Sequence, residues 1–282
     1  ADRFHAIITT ARKQTGLKAA ILIDEYDAPL QHSWNTPQHD ECTAVYREVF
    51  AILKADDEHE RLVFITGITK FTQISLFSVL NNLTNISFLP EYATVCGITE
   101  QETRENFGPE MEETAKANGW TLRQAHDKMK DYYDGYHFSR RNMVDVYNPF
   151  SLINALDTKE LSNFWAASGA TSLLPKFVDD LDVSLEHFDN CYIDSTTLET
   201  CDVSDGGAEL FLYQSGYLTI KDYEDGVYTL GIPNEEVRQA LYKLVVPALI
   251  LRTRSQAIST QSLLLKMLQT GNVGESMKAL KA

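Results

Sequence analysis

The chain has 282 residues, 44% of them hydrophobic, with 40 acidic against 25 basic side chains and a formal net charge of -15. That is enough apolar material for at least one sizeable core. So negative a balance repels phosphodiester backbones and excludes broad, charge-driven nucleic-acid binding, leaving only a local basic patch open to it.

Residues Asp2 to Thr15 read as an amphipathic helix, with Phe4, Ile7, Ile8 and Ala11 on one face and Gly16 as its stop. The run Ala20-Ile21-Leu22-Ile23 then passes straight into Asp24-Glu25-Tyr26-Asp27. An uninterrupted apolar run predicts a strand buried on both faces, as in a parallel sheet flanked by helices. Ligands of open α/β sheets sit at the carboxyl ends of such strands, which is where Asp24 and Glu25 fall. An Asp beside a Glu there suits a nucleoside triphosphatase, Asp24 holding Mg²⁺ and Glu25 orienting or deprotonating the attacking water. The plainer alternative is that the acids end a strand in solvent. Ala28-Pro29 ends the strand, Gln31 to Asp40 reads as a polar surface loop, and Glu41 to Leu53 as a helix with Val45, Val49, Ile52 and Leu53 on one side. A second apolar run, Arg61 to Ile65, leads into Thr66-Gly67-Ile68-Thr69-Lys70. A helix between two such strands fits the right-handed crossover, and Thr66 and Lys70 are then candidates to sense a γ-phosphate. Phe71 to Leu80 predicts a short helix and Asn85 to Phe88 a third strand.

From Thr99 the pattern turns helical. Thr99-Glu100-Gln101-Glu102 is a capping box in sequence. Helices are expected over Glu100 to Asn118 and Thr121 to Tyr132, split at Gly119, and further on over Pro149 to Leu156, Leu161 to Ser168 and Ser172 to Asp180. The aromatic string Tyr132 to Phe138 reads as buried packing in preference to a ligand platform. Gly207 to Gln214 reads as a helix. Tyr217 to Tyr223 and Val227 to Leu230 flank an Asp225-Gly226 hairpin turn, and Pro233 opens a helix to about Leu251. Helix, hairpin, helix is the order of a winged-helix-like module. With few basic residues before Arg252 and Arg254, a lid or packing role fits it better than DNA reading.

Other classes find little support. Cys42, Cys96, Cys191 and Cys201 show no C-x-x-C pairing, which favours ordinary thiols in a reducing cytoplasm over a zinc module or a disulfide framework. The seven histidines are scattered, and His32 with His39 is a weak pair. The apolar stretch Leu244 to Leu251 is interrupted by Pro247 and is far shorter than the roughly 20 residues a membrane span needs.

Three strings in the amino-terminal part carry a resemblance: Asp24-Glu25-Tyr26-Asp27, Phe64 to Phe71, and Leu80 to Ser87. Tyr133 to Phe138, Val146 to Leu152 and Tyr228 to Asn234 continue it in order. The chain resembles the bacterial AAA-ATPase-like family, predicted P-loop ATPases that often carry a PD-(D/E)XK nuclease-like domain after the ATPase region. The resemblance implies an α/β fold: a partial P-loop NTPase parallel sheet followed by a helical lid and a winged-helix-like module. The divisions it suggests are 1–97 for the core, 98–204 for the lid, 205–254 for the module and 255–282 for the helical start of a following region. It implies ATP and Mg²⁺ as cofactors, with Asp24 and Thr66 on the nucleotide, Asp24 on the metal, and Glu25 and Lys70 catalytic. It also implies a nuclease-like domain in the same parent chain as a partner, and leaves nucleic acid open. No G-x-x-x-x-G-K-S/T loop and no Glu-x-Lys string occur in these residues. The expectation is therefore a chain truncated ahead of the Asp-Glu strand and ahead of the nuclease core, inactive as given. The alternative is a non-enzymatic or nucleic-acid-associated regulatory module.

Overall fold

The computed structural model describes residues 2–33, 36–68, 83–167, 188–200 and 207–250. Lys70, the helix expected over 71–80, the helix expected over 172–180, Cys201 and the segment 255–282 lie outside the described residues. The fold is mixed α/β and divides into two compact units, residues 1–89 with 193–215, and residues 90–192 with 216–282.

The first unit opens with α1 (Asp2–Thr15), β1 (Ala19–Ile23), α2 (Ala28–Ser33), α3 (His39–Ala55) and β2 (Glu60–Ile65). β1 and β2 are parallel, in the register Ala20↔Leu62, Ile21↔Val63, Leu22↔Phe64 and Ile23↔Ile65, as the crossover helix requires. Successive side chains of a strand point to opposite faces. Ile21, Ile23, Val63 and Ile65 pack with Ile8, Tyr26, Leu30, Phe50 and Leu53 into one core. The other face is Ala20, Leu22, Leu62 and Phe64, and it is open: Leu22 is 72% exposed, Leu62 52% and Phe64 41%. Burial on both faces, the reading taken from the apolar run, is therefore corrected to burial on one.

Two further corrections belong to this unit. The stretch after Asp27 is not a plain loop; it forms α2, and Gln31 N donates to Asp27 O (2.9 Å) in its first turn. Residues 83–89 form no strand. Ser87 N donates to the Asn85 side chain (3.0 Å) and Leu89 N to Ile86 O (3.1 Å), so the backbone spends its donors on a local turn. Among the described residues the parallel sheet has two strands. The unit also includes the helix Gly207–Gln214, as expected, which buries Leu210, Phe211 and Leu212.

The second unit starts from β3 (Ile98–Thr99), antiparallel to β4 (Val146–Tyr147), with α4 (Glu100–Asn106), α5 (Gly108–Asn118) and α6 (Leu122–Tyr133) between them. The capping box at Thr99 forms in full: Thr99 Oγ1 accepts from Glu102 N (3.2 Å), and Glu102 Oε2 accepts from Thr99 N (2.8 Å). Thr121 and Gln124 build a second one that the sequence reading passed over. The single helix expected over 100–118 is broken at Phe107, because Pro109 in the first turn of α5 has no N–H to continue the ladder.

α7 (Pro149–Thr158) and α8 (Phe164–Ala167) follow, and Met111, Ala125, Met129, Tyr133, Tyr147, Leu152 and Leu156 form a closed core. The strand β5 (Cys191–Asp194), whose Cys191 and Tyr192 belong to this unit, gives the sheet order β5-β7-β6 with β6 (Thr219–Glu224) and β7 (Val227–Gly231). Asp225 and Gly226, at φ 47° and 88°, make the tight hairpin turn that the Asp-Gly pair predicted. The aromatic string is packing: Tyr133 and Tyr136 are buried, donating through their hydroxyls to Ser162 O (3.0 Å) and Gly216 O (3.2 Å). Its glycine is required, since Gly135 sits at φ 95° and a Cβ there would lie 2.4 Å from Pro233 O. Asn234 Nδ2 donates to Asp134 O (3.0 Å), and its side-chain oxygen accepts from Val237 N (3.1 Å) at the start of α9 (Glu235–Ile250). No helix among the described residues is long and apolar enough to cross a membrane.

Candidate functional site

The site is built where β1 and β2 end. The ladder continues one step past both strands, with Thr66 N donating to Ile23 O (2.8 Å) and Tyr26 N to Thr66 O (3.0 Å). Asp24 and Thr66 therefore emerge side by side at the carboxyl rim. The Thr66 hydroxyl donates to Asp24 Oδ1, which also accepts from Glu25 N (2.9 Å). Asp24 Oδ2 has no partner among the described residues, and the residue is exposed. One oxygen is thus held and the other is free, so the carboxylate is oriented outward by two donors.

Glu25 lies at φ 51°, a left-handed backbone that a glutamate rarely adopts. The bend turns the chain out of the strand at this residue and leaves Glu25 exposed. Strain of this kind persists where surrounding bonds over-determine the backbone, and here Glu25 sits between Asp24 and Tyr26, both tied to Thr66.

Asp27 was missed by sequence reasoning. It is 1% exposed, Oδ1 accepts from Ile68 N (3.2 Å), and Oδ2 accepts from Gln31 Nε2 (2.5 Å). Gly67 completes the contact, since a Cβ there would lie 2.5 Å from both Asp27 Oδ1 and Tyr26 Cδ1. The available signal was a third acid, three residues after Asp24, with a glycine at the matching end of the next apolar run.

The residues present fit a magnesium ion only in part. No group of three or more His, Cys, Asp or Glu side chains among the described residues could hold a metal by itself. Mg²⁺ in nucleotide sites is held by one or two carboxylates together with substrate phosphates, and one free carboxylate oxygen on Asp24 is what such a partnership asks of the protein. Of the other proposed residues, Glu25 is near but contributes no contact to Asp24 beyond its backbone N–H, and Lys70 lies outside the described residues.

The opposite, amino-terminal rim holds a different group of side chains. An open groove of about 540 Å³ is lined by His5, Thr9, Arg12, Lys13, Gly16 and His59. Arg12 donates to Glu58 O and to His59 Nδ1 (2.7 Å), and His5 Nδ1 lies 2.8 Å from the carboxylate of buried Asp56. These bonds tie α1 to the turn before β2, and they sit at the wrong end of the strands for a ligand of a parallel sheet. Near them Glu60 is buried with no hydrogen-bond partner for its carboxylate among the described residues, and burial, with Asp56 and Asp57 adding to it, pushes its carboxyl up to about 7. The weak pair His32 and His39 makes only local bonds, to Ala28 O (2.6 Å) and Ser33 Oγ (3.0 Å).

Comparison with known proteins matches residues 1–77 to the AAA-ATPase-like family of predicted AAA-ATPases. The chain is also 28% identical, over 265 residues, to an uncharacterized protein in the vnfD 5′ region of Azotobacter chroococcum mcd 1. That alignment covers 90% of this chain and 49% of the relative, so the chain spans about half the length of the curated relative it matches. No solved structure matches it.

Proposed function

We propose that residues 1–97 are part of the core of an ATP-binding and hydrolysing switch, with the nucleotide at the Asp24–Thr66 rim. The single observation that carries the reading is the pairing of Asp24 with Thr66 across two parallel strands, with one carboxylate oxygen left without a partner among the described residues. The AAA-ATPase-like match over residues 1–77 supports it. So does the open sheet face, because parallel sheets are found with both faces covered. Further secondary structure from a longer polypeptide, of the kind the relative's length allows, would complete a P-loop core on that face.

In this reading Asp24 would hold Mg²⁺, which would supply charge neutralisation to the phosphates. Glu25, exposed at the bend, orients the attacking water and takes its proton. Thr66 and Lys70 serve the γ-phosphate side, the Thr66 hydroxyl staying on Asp24 until a phosphate oxygen competes for it. The segments 98–204 and 205–254 are read as the helical lid and the winged-helix-like module of such a switch. Residues 255–282 begin a following region, a nuclease-like domain is the partner in the same polypeptide, and the cytoplasm is the compartment.

The test is Glu25→Gln in the full-length polypeptide. ATP binding should stay within about threefold while turnover falls roughly 100-fold or more, the size of a lost general base. Unchanged turnover would reject the role of Glu25. A second reading, a non-enzymatic or nucleic-acid-associated regulatory module attached to a nuclease-like domain, is favoured by one observation: no phosphate-binding loop string occurs in these 282 residues. Absence of Mg²⁺-dependent ATP binding by the full-length polypeptide would select it.

A further inference from the structure

Resting on the nucleotide reading above, we infer that Asp27 is a positioning residue that fixes the loop after β2 against the loop after β1 and so sets the geometry of the γ-phosphate side. Four bonds lace the two strand ends. Two are backbone bonds between Thr66 and the residues Ile23 and Tyr26, and the third is the Thr66 hydroxyl on Asp24. All three hold Thr66. Beyond Thr66, the bond from Ile68 N to Asp27 Oδ1 (3.2 Å) ties the next stretch of chain to the β1 side. In sequence Ile68 is followed by Thr69 and by Lys70, the residue read above as serving the γ-phosphate.

The carboxylate is suited to the task. It is 99% buried by its neighbours, and its second oxygen is occupied by Gln31 Nε2 from α2 (2.5 Å), which fixes the rotamer. A charged acceptor makes a stronger bond to an amide N–H than a neutral one. Gly67 admits the approach, because any side chain there would collide with Asp27 and Tyr26. The metal is given to Asp24 and the strut to Asp27: Asp27 Oδ1 accepts from Ile68 N and Oδ2 from Gln31 Nε2, whereas Asp24 Oδ2 has no partner among the described residues.

The experiment uses the full-length polypeptide with Asp27→Leu, Asp27→Asn and Gly67→Ala. Asn at 27 keeps an oxygen for Ile68 N and offers its amide N–H to Gln31 once that side chain flips, so it preserves the strut without the charge. Amide hydrogen exchange at Gly67 and Ile68 should quicken about 10-fold or more in Asp27→Leu and Gly67→Ala and stay near wild type in Asp27→Asn. The kcat for ATP should fall roughly 10- to 100-fold in the first two with KM within about threefold, and Asn should restore most of it. Wild-type exchange in both Asp27→Leu and Gly67→Ala would overturn the inference. So would an Asp27→Asn variant as inactive as Glu25→Gln, because that would make the charge, not the strut, the active feature. Should Asp27→Leu fail to fold, Gly67→Ala carries the same comparison. A wild-type polypeptide without ATP turnover would remove the nucleotide reading, and the exchange data would still decide whether Asp27 holds the loop.

Discussion

The two units bury their apolar residues differently. In the second unit Met111, Met129, Tyr133, Tyr147 and Leu152 are fully enclosed, two capping boxes close its helices, and its core is complete among the described residues. In the first unit one sheet face is packed under α1 and α3 while Leu22, Leu62 and Phe64 face outward. Asp24 follows Leu22 by two positions and Thr66 follows Phe64 by two, so the proposed site lies on the rim of the open face. The second unit encloses its core, whereas the first presents an open apolar face next to an oriented carboxylate.

That contrast can be broken most sharply by paired substitutions. Leu152→Ala should cost about 2–5 kcal/mol in thermal or denaturant unfolding, because it deletes a fully buried side chain. Leu22→Ser in the same 282 residues should change stability by no more than about 0.5 kcal/mol, as substitutions on open surface do. A cost near 2 kcal/mol for Leu22→Ser would mean that the face is covered within these residues and would remove the contrast. Repeating Leu22→Ser in the full-length polypeptide sharpens it, since a covered Leu22 should then cost about 1.5–3 kcal/mol.

A smaller effect separates the units by pH. Burial pushes Glu60, in the first unit, up to about 7, and Asp134, in the second, up to about 6. Asp145 and Glu100 add to the rise at Asp134, while the Gly135 N–H and Lys130, 3.7 Å from Oδ2, oppose it. Both carboxyls bind protons more tightly folded than unfolded. Their stabilising contribution is therefore full below the ordinary carboxylate range and is lost as pH rises through the folded value. Glu60→Gln should remove a loss on the order of 1–3 kcal/mol between about pH 4.5 and 7. Asp134→Asn should remove a similar or smaller loss ending near pH 6. Stability curves of the variants that still fall over those windows would assign the titration to other groups.

Much of this architecture was legible in the sequence for identifiable reasons. Two apolar runs of strand length with a helix between them fixed the parallel pair, and Asp225-Gly226 fixed the hairpin, because each pattern has few competing solutions. Thr99 with Glu102 announced its cap for the same reason. What failed was everything that needed a partner element. An apolar run says that a strand wants to be buried, not that both faces find cover, so Leu22 and Phe64 were misplaced. The alternating string Asn85-Ile86-Ser87-Phe88 lost its strand to the side chain of Asn85, and the helix from Glu100 was cut by Pro109. Within the site, the adjacency of Asp24 and Thr66 was expected from strand ends. The strut from Asp27 to Ile68 was not, because a side chain bonding to a backbone N–H 41 residues away leaves no periodic trace.

The central claim is that the Asp24–Thr66 rim receives the metal of a bound nucleotide. Its most direct test is anomalous diffraction from Mn²⁺ in crystals of the full-length polypeptide grown with a non-hydrolysable ATP analogue. The account predicts a manganese peak about 2 Å from Asp24 Oδ2, or about 4 Å away across one bound water. A nucleotide and metal bound elsewhere, with Asp24 touching neither, would contradict it.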